Sequence, residues 1–118
     1  MQSINQKKSK LEQLAHQFVE AANGYDLQAV LALFAEDAVI DDVSVGEKFE
    51  YKRGIRKYYE TFFIGYHTVT ELLTLEHTAP DQIIARVDFK GDFGHETGGL
   101  DILVNEVGLI KKIDAYLN

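Results

Sequence analysis

The sequence contains no cysteine. That absence excludes disulfides, thiolate nucleophiles and cysteine metal sites. Positive charge is also scarce: twelve lysines and arginines face nineteen aspartates and glutamates, a formal net charge of -7. An acidic balance argues against nucleic acid and anionic membrane as partners. No apolar run is long enough to span a bilayer. The opening MQSINQKKSKLEQL has lysines but no apolar segment of the kind a secretory signal needs, so a cytoplasmic protein is expected. His16, His67, His77 and His95 show no metal-ligand spacing, and neither a glycine-rich phosphate loop nor Gly-x-Ser-x-Gly occurs. No metal and no cofactor is therefore expected.

What remains is the composition of a globular protein. The chain has 118 residues, 46% of them hydrophobic, which fits one domain spanning 1–118. A chain of this length buries roughly two-thirds of its unfolded surface, enough for a core and one enclosed pocket. Residues 1–6 are polar and expected to fray. Leu11, Leu14, Ala15, Phe18, Val19 and Ala22 then recur at helical spacing, and Asn23-Gly24 stops that helix. Asp26 fits the N-cap of a second helix, with Leu27, Val30, Leu31 and Phe34 facing inward. AVIDDVSVG, residues 38–46, reads as extended and 47–52 as a loop. Ile55, Tyr58, Tyr59, Phe62 and Phe63 mark a third helix.

Near residue 68 the period changes from helical to two. Val69, Leu73 and Leu75 alternate with polar residues. Ala79-Pro80-Asp81, which holds the chain's single proline, is a turn. Ile83, Ala85, Val87, Phe89 and Phe93 share one face of the next strand, and Arg86, Asp88, Lys90 and Asp92 the other. Residues 94–99 read as a loop, 100–104 as a strand, 105–108 as a turn and 109–117 as the last strand. Helices first and strands after make an α+β fold, with helices on one face of a curved antiparallel sheet. Glycines at 91, 94, 98 and 99 suit a sheet that bends into a cone around an internal pocket.

Certain residues carry a resemblance. Asn23, Asp26, Leu33, Phe34, Ala35, Asp37 and Ala38, followed by Ile55, Arg56, Tyr58 and Tyr59, resemble the pattern of the nuclear transport factor 2-like superfamily. The likeness is nearest to the branch holding ketosteroid isomerases and SnoaL-like polyketide cyclases. It implies a cone-shaped pocket for a small hydrophobic ligand, and a homodimer formed through the outer sheet face. It also implies either isomerase- or cyclase-like proton transfer on a small hydrophobic carbonyl compound, or a non-catalytic ligand-binding or dimerisation module of the same fold. This superfamily hosts several functions on one architecture.

Site residues follow from the same resemblance. Asp42 matches the general base of the isomerases, at the end of the short strand. Asp41, its neighbour, points to the opposite face. Asp101, in the apolar run GGLDILV, matches an aspartic acid kept neutral to donate a hydrogen bond to an oxyanion. Asp114 matches an acid-base aspartate of the cyclases and of limonene epoxide hydrolases. The latter carry an arginine where this chain has Gly99. An oxyanion-donating tyrosine of the isomerases falls on Phe18, which has no hydroxyl. Tyr59 matches a supporting tyrosine, and core packing is its alternative role. His77 shares a face with Leu73 and Leu75 and is an outside candidate for the pocket.

Overall fold

A computed structural model describes the backbone of residues 2–118 and the side chains from residue 6 onward. Helix α1 spans Gln2–Asn23. The helix therefore includes residues 2–6, where fraying was expected, and Met1 lies outside the described residues. Leu11, Leu14, Ala15, Phe18 and Ala22 form its buried stripe. Asp26 caps α2, Leu27–Leu31, by accepting a hydrogen bond from the amide of Ala29 at 3.1 Å. Only five residues long, α2 ends before Phe34, which opens strand β1 at Phe34–Asp42 instead of closing a helix. The sequence ALFAEDAVI is rich enough in apolar residues to satisfy either period, and pairing with the C-terminal strand decides it.

Strand β2, Glu47–Glu50, and the first two residues of helix α3, Tyr51–Tyr59, occupy the segment 47–52 expected to be a loop, and the rest of α3 carries Ile55, Tyr58 and Tyr59 as expected. The turn at Gly46, whose φ is +69°, folds β2 back on β1 as a hairpin. A π-helical turn, Glu60–Ile64, continues α3. Gly54 lets α3 lie close against β2, since a Cβ there would sit 2.8 Å from the Phe49 carbonyl carbon.

Strands β3, Val69–Ala79, and β4, Gln82–Gly91, flank the expected turn at Pro80. Strands β5, Gly94–Val104, and β6, Ile110–Leu117, complete the sheet. The spatial order is β2-β1-β6-β5-β4-β3. Strand β1 runs parallel to β6, and every other neighbouring pair is antiparallel. The sheet is therefore mixed, because the last strand inserts between β1 and β5 in the direction of β1.

Residues 94–99 are strand and not loop. Only Asp92 and Phe93 separate the paired ends Gly91 and Gly94, and Gly94 takes a φ of +99°. Pairing with β4 along one edge, and from Gly98 onward with β6 along the other, overrides the loop composition of this stretch.

The register of β3 shifts between Leu72 and Thr74. Consequently Val69 and Leu73 stand exposed at 47% and 49%, while Thr70 and Leu75 lie on the inner side. One core fills the space between helices and sheet: Phe18, Phe34, Tyr59, Phe63 and Val87 all belong to it, with Ile83, Leu100, Ile102 and Ile113. Among the described residues, no helix is long and apolar enough to cross a membrane.

Candidate functional site

Asp42 ends β1 on the inner face, two residues after buried Ile40 and four after buried Ala38. It is 7% exposed, so its carboxylate needs partners. Three hydrogen bonds reach it. Ser44 donates its backbone amide (2.9 Å) and its hydroxyl (2.6 Å) to Oδ1, and Tyr58 donates its phenol to Oδ2 at 2.6 Å. The Ser44 contacts come from the β1–β2 turn, where an aspartate side chain bonds the backbone two residues on. The third comes from α3, whose inner stripe carries Tyr58 against Phe49, 4.9 Å between ring centroids. Burial, then the adjacent Asp42 charge and the hydrogen bond to it, hold the Tyr58 phenol well above its usual value of 10.0.

This cluster lies at the inner end of a cavity of about 390 Å³ that opens to solvent. Phe62, Phe63 and Tyr66 come from the π-helical turn and the loop after it, Phe89 from β4, Phe93 from the β4–β5 turn and Glu96 from β5. Six aromatic rings thus wall a site with Asp42 and Glu96 as its carboxylates. Four hydroxyls line it, those of Ser44, Tyr58, Tyr66 and Thr68. Three are already donating: Ser44 and Tyr58 to Asp42, and Thr68 to the Phe62 carbonyl at 2.7 Å.

The register places the other candidates elsewhere. Asp101 sits between inward-facing Leu100 and Ile102, so it points to the outer face and accepts a hydrogen bond from the Gln82 amide at 2.9 Å. It therefore does not face Asp42 across the cavity, as the sequence led us to expect. Asp114 lies directly opposite Asp101, also on the outer face, with Lys112 at 3.6 Å. Asp41 continues the row beside Asp114.

Phe18 packs edge-on against Phe34 in the core, ring centroids 6.1 Å apart. Tyr59 donates its hydroxyl to the Ala22 carbonyl at 2.9 Å, tying α3 to the end of α1, and burial pushes its phenol up to about 12. These two are not among the residues lining the cavity. His77 shares the inner side with Leu75 but not with Leu73, and meets Glu12 of α1 at 2.8 Å; it does not line the cavity either. Of the six residues that sequence reasoning singled out, the cavity holds Asp42.

Tyr58, Ser44 and Glu96 were not recognised in the sequence as site residues. Tyr58 had a visible signal, its place on the inner stripe of α3 beside the favoured Tyr59. Glu96 had none until the β4–β5 turn was known to be two residues long, which sets it opposite Phe89 on the inner face. A larger depression, about 720 Å³, lies at the far end between the start of α1 and the β5–β6 turn, rimmed by Lys7, Lys10 and Lys111. None of the candidate residues borders it.

Solved structures with this fold include RV0760c of Mycobacterium tuberculosis, 23% identical with a TM-score of 0.82 over 93% of this chain and 92% of that one. The same protein in complex with estradiol-17β-hemisuccinate is 22% identical, with a TM-score of 0.79 over 89% and 91% of the two chains. A computationally designed 17-OHP binder is 19% identical, with a TM-score of 0.79 over 89% and 88%. At these identities the likeness establishes the fold alone. No curated protein matches the chain in sequence. The model of the SnoaL-like domain matches residues 15–110, and this chain belongs to the SnoaL-like domain family.

Proposed function

We propose that the protein binds a small, flat, hydrophobic compound with one polar group in the aromatic cavity, using Asp42 as the polar anchor. The observation that carries this is the buried Asp42, held by Ser44 and Tyr58 at the inner end of an apolar, solvent-connected cavity. A few placed polar groups in an otherwise apolar concavity are what small-molecule sites share. The steroid held by the RV0760c structure and the target of the designed binder support the size and shape of such a ligand.

The position of Asp42 also favours a second reading. A carboxylate against an apolar ligand suits proton abstraction beside a carbonyl, with Asp42 as base in an isomerase- or cyclase-like step. Binding stands first because such a step needs a donor for the oxyanion. Phe18 lacks a hydroxyl, Asp101 faces outward, and three of the four cavity hydroxyls are already donating. A homodimer and a cytoplasmic location belong to this proposal as well.

Titration of the labelled protein with 2-naphthylmethanol, followed by NMR, tests the binding. Shift changes grouped at Tyr58, Phe62 and Phe89 are expected. Changes confined to the outer face, or none at millimolar concentration, would overturn the proposal. A ketone of the same frame separates the second reading. Exchange of its α-hydrogens for deuterium, lost in Asp42→Asn, would put proton transfer first.

A further inference from the structure

We infer that the aromatic cavity selects hydrophobic cations, an amine or quaternary ammonium on a flat apolar frame, over neutral or anionic ligands of the same shape. This rests on the proposal that the cavity is a ligand site, and adds the charge of the ligand.

Three features of the wall act with one sign. The first is formal charge. Asp42 and Glu96 line the cavity, and none of its lining residues is lysine, arginine or histidine. Among the described residues neither carboxylate takes part in an ion pair. On the outer side of the same sheet some acids do have cations, as in Glu71 with Lys90 and Glu76 with Arg86, while Asp41 and Asp101 do not among the described residues. The unneutralised pair sits in a concavity with apolar walls, where field lines are focused rather than dispersed into water.

The second feature is the rings. Tyr58, Phe62, Phe63, Tyr66, Phe89 and Phe93 are half of the residues that line the wall. They meet at tilted and edge-on angles, Phe62 to Tyr66 at 6.3 Å and Tyr66 to Phe93 at 6.0 Å. The negative face of an aromatic ring attracts a cation within about 6 Å of its centroid, and tetraalkyl or alkyl ammonium groups bind in cages of this kind.

The third is hydrogen-bond polarity, which is independent of the other two. Of the four lining hydroxyls only that of Tyr66 is not already donating among the described residues. The carboxylates retain unused acceptor lone pairs, since an ionised carboxylate offers about four such sites. A ligand entering here finds acceptors in excess of donors. A protonated amine, which carries N–H donors, matches that surplus, whereas a quaternary ammonium answers only to the charge and the rings; a carboxylate meets repulsion and almost no donor.

The test uses three ligands on one frame: trimethyl(2-naphthylmethyl)ammonium, 2-naphthylmethanol and 2-naphthylacetate. Affinities are measured by calorimetry at neutral pH and low ionic strength, with NMR to place each ligand. The ammonium compound is expected to bind about tenfold more tightly than the alcohol, and the acetate most weakly. Glu96 is exposed, so Glu96→Gln keeps the fold. It should weaken the ammonium compound by about threefold, less in high salt, and weaken the alcohol by a smaller factor. Equal affinity for ammonium and alcohol, or tighter binding of the acetate, overturns the inference while the alcohol still reports a ligand site. An ammonium preference that survives Glu96→Gln still supports the inference and assigns it to Asp42 and the rings. Failure of all three ligands to bind overturns both this inference and the site on which it rests.

Discussion

The Tyr58 hydroxyl donates to Asp42 Oδ2 at 2.6 Å, and through that bond the third helix is fastened to the end of the first strand. Removing it leaves a buried carboxylate with the two Ser44 donors only. Tyr58→Phe is therefore expected to cost about 1.5–3 kcal/mol, the range for a hydrogen bond to a charged group. Urea denaturation measures it. An unchanged midpoint would mean that the bond contributes nothing to holding α3 on β1.

The three outer aspartates make an opposite prediction. Asp41, Asp114 and Asp101 lie side by side across β1, β6 and β5, with Lys112 the cation nearest Asp114. Like charges directly opposite on neighbouring strands are destabilising. Asp114→Asn should raise stability by about 0.5 kcal/mol, more at low salt than at high. Asp101→Asn should leave the affinity for 2-naphthylmethanol unchanged. A loss of binding in Asp101→Asn would show that the outer face reaches the site.

Tyr51 opens α3 with a φ of +64° and is 59% exposed. A side chain in the left-handed region costs about 1–2 kcal/mol relative to glycine or asparagine. Its exposure leaves little packing to offset this. Tyr51→Asn should raise the thermal midpoint, with about 1 kcal/mol of added stability. A lower midpoint would show that the exposed ring makes a contact worth more than the backbone strain.

Alkaline pH should unfold the protein through its buried phenols. Tyr59 titrates at about 12 and Tyr58 also lies well above the ordinary 10.0. A raised folded value means that the unfolded chain releases these protons first. Stability is thus fully present below pH 10 and is lost as pH rises through the folded values. The tyrosinate absorbance of these two residues should appear together with loss of near-ultraviolet circular dichroism. Ionisation of all six tyrosines near pH 10 with the fold intact would contradict it.

A homodimer through the outer face is expected to show a dimer mass in light scattering at high micromolar concentration. Arg86, Lys90 and Asp88, which the sequence offered for pairing across a two-fold axis, have partners within the chain in Glu76, Glu71 and His95. Assembly would then exchange these pairs, and salt should change the mass. A monomer mass at every concentration tested removes the dimer.

Much of this protein is determined by local pattern. The stripe from Leu11 to Ala22, the Asp26 cap, the turn at Pro80 and the change of period near residue 68 each follow from side-chain spacing and backbone preference. Asp42 is expected inward from the resemblance, and the burial of Ala38 and Ile40 in its strand agrees. The tertiary structure alone decided the rest. In LDILV apolar residues stand on both faces, so alternation could not tell which side of β5 meets the core; pairing with β4 and β6 turned Asp101 out. The glycine-rich stretch 94–99 has the composition of a loop, and only hydrogen bonding to its neighbours made it a strand and brought Glu96 to the cavity mouth. Tyr58 and Tyr59 lie on the same helical stripe. Which of them reaches Asp42 depends on how α3 is rotated against β1 and β2, and the close approach at Gly54 and Phe49 is part of that fit. Periodicity is a property of neighbours along the chain, whereas the face a strand buries and the rotation of a helix are set by what packs against them.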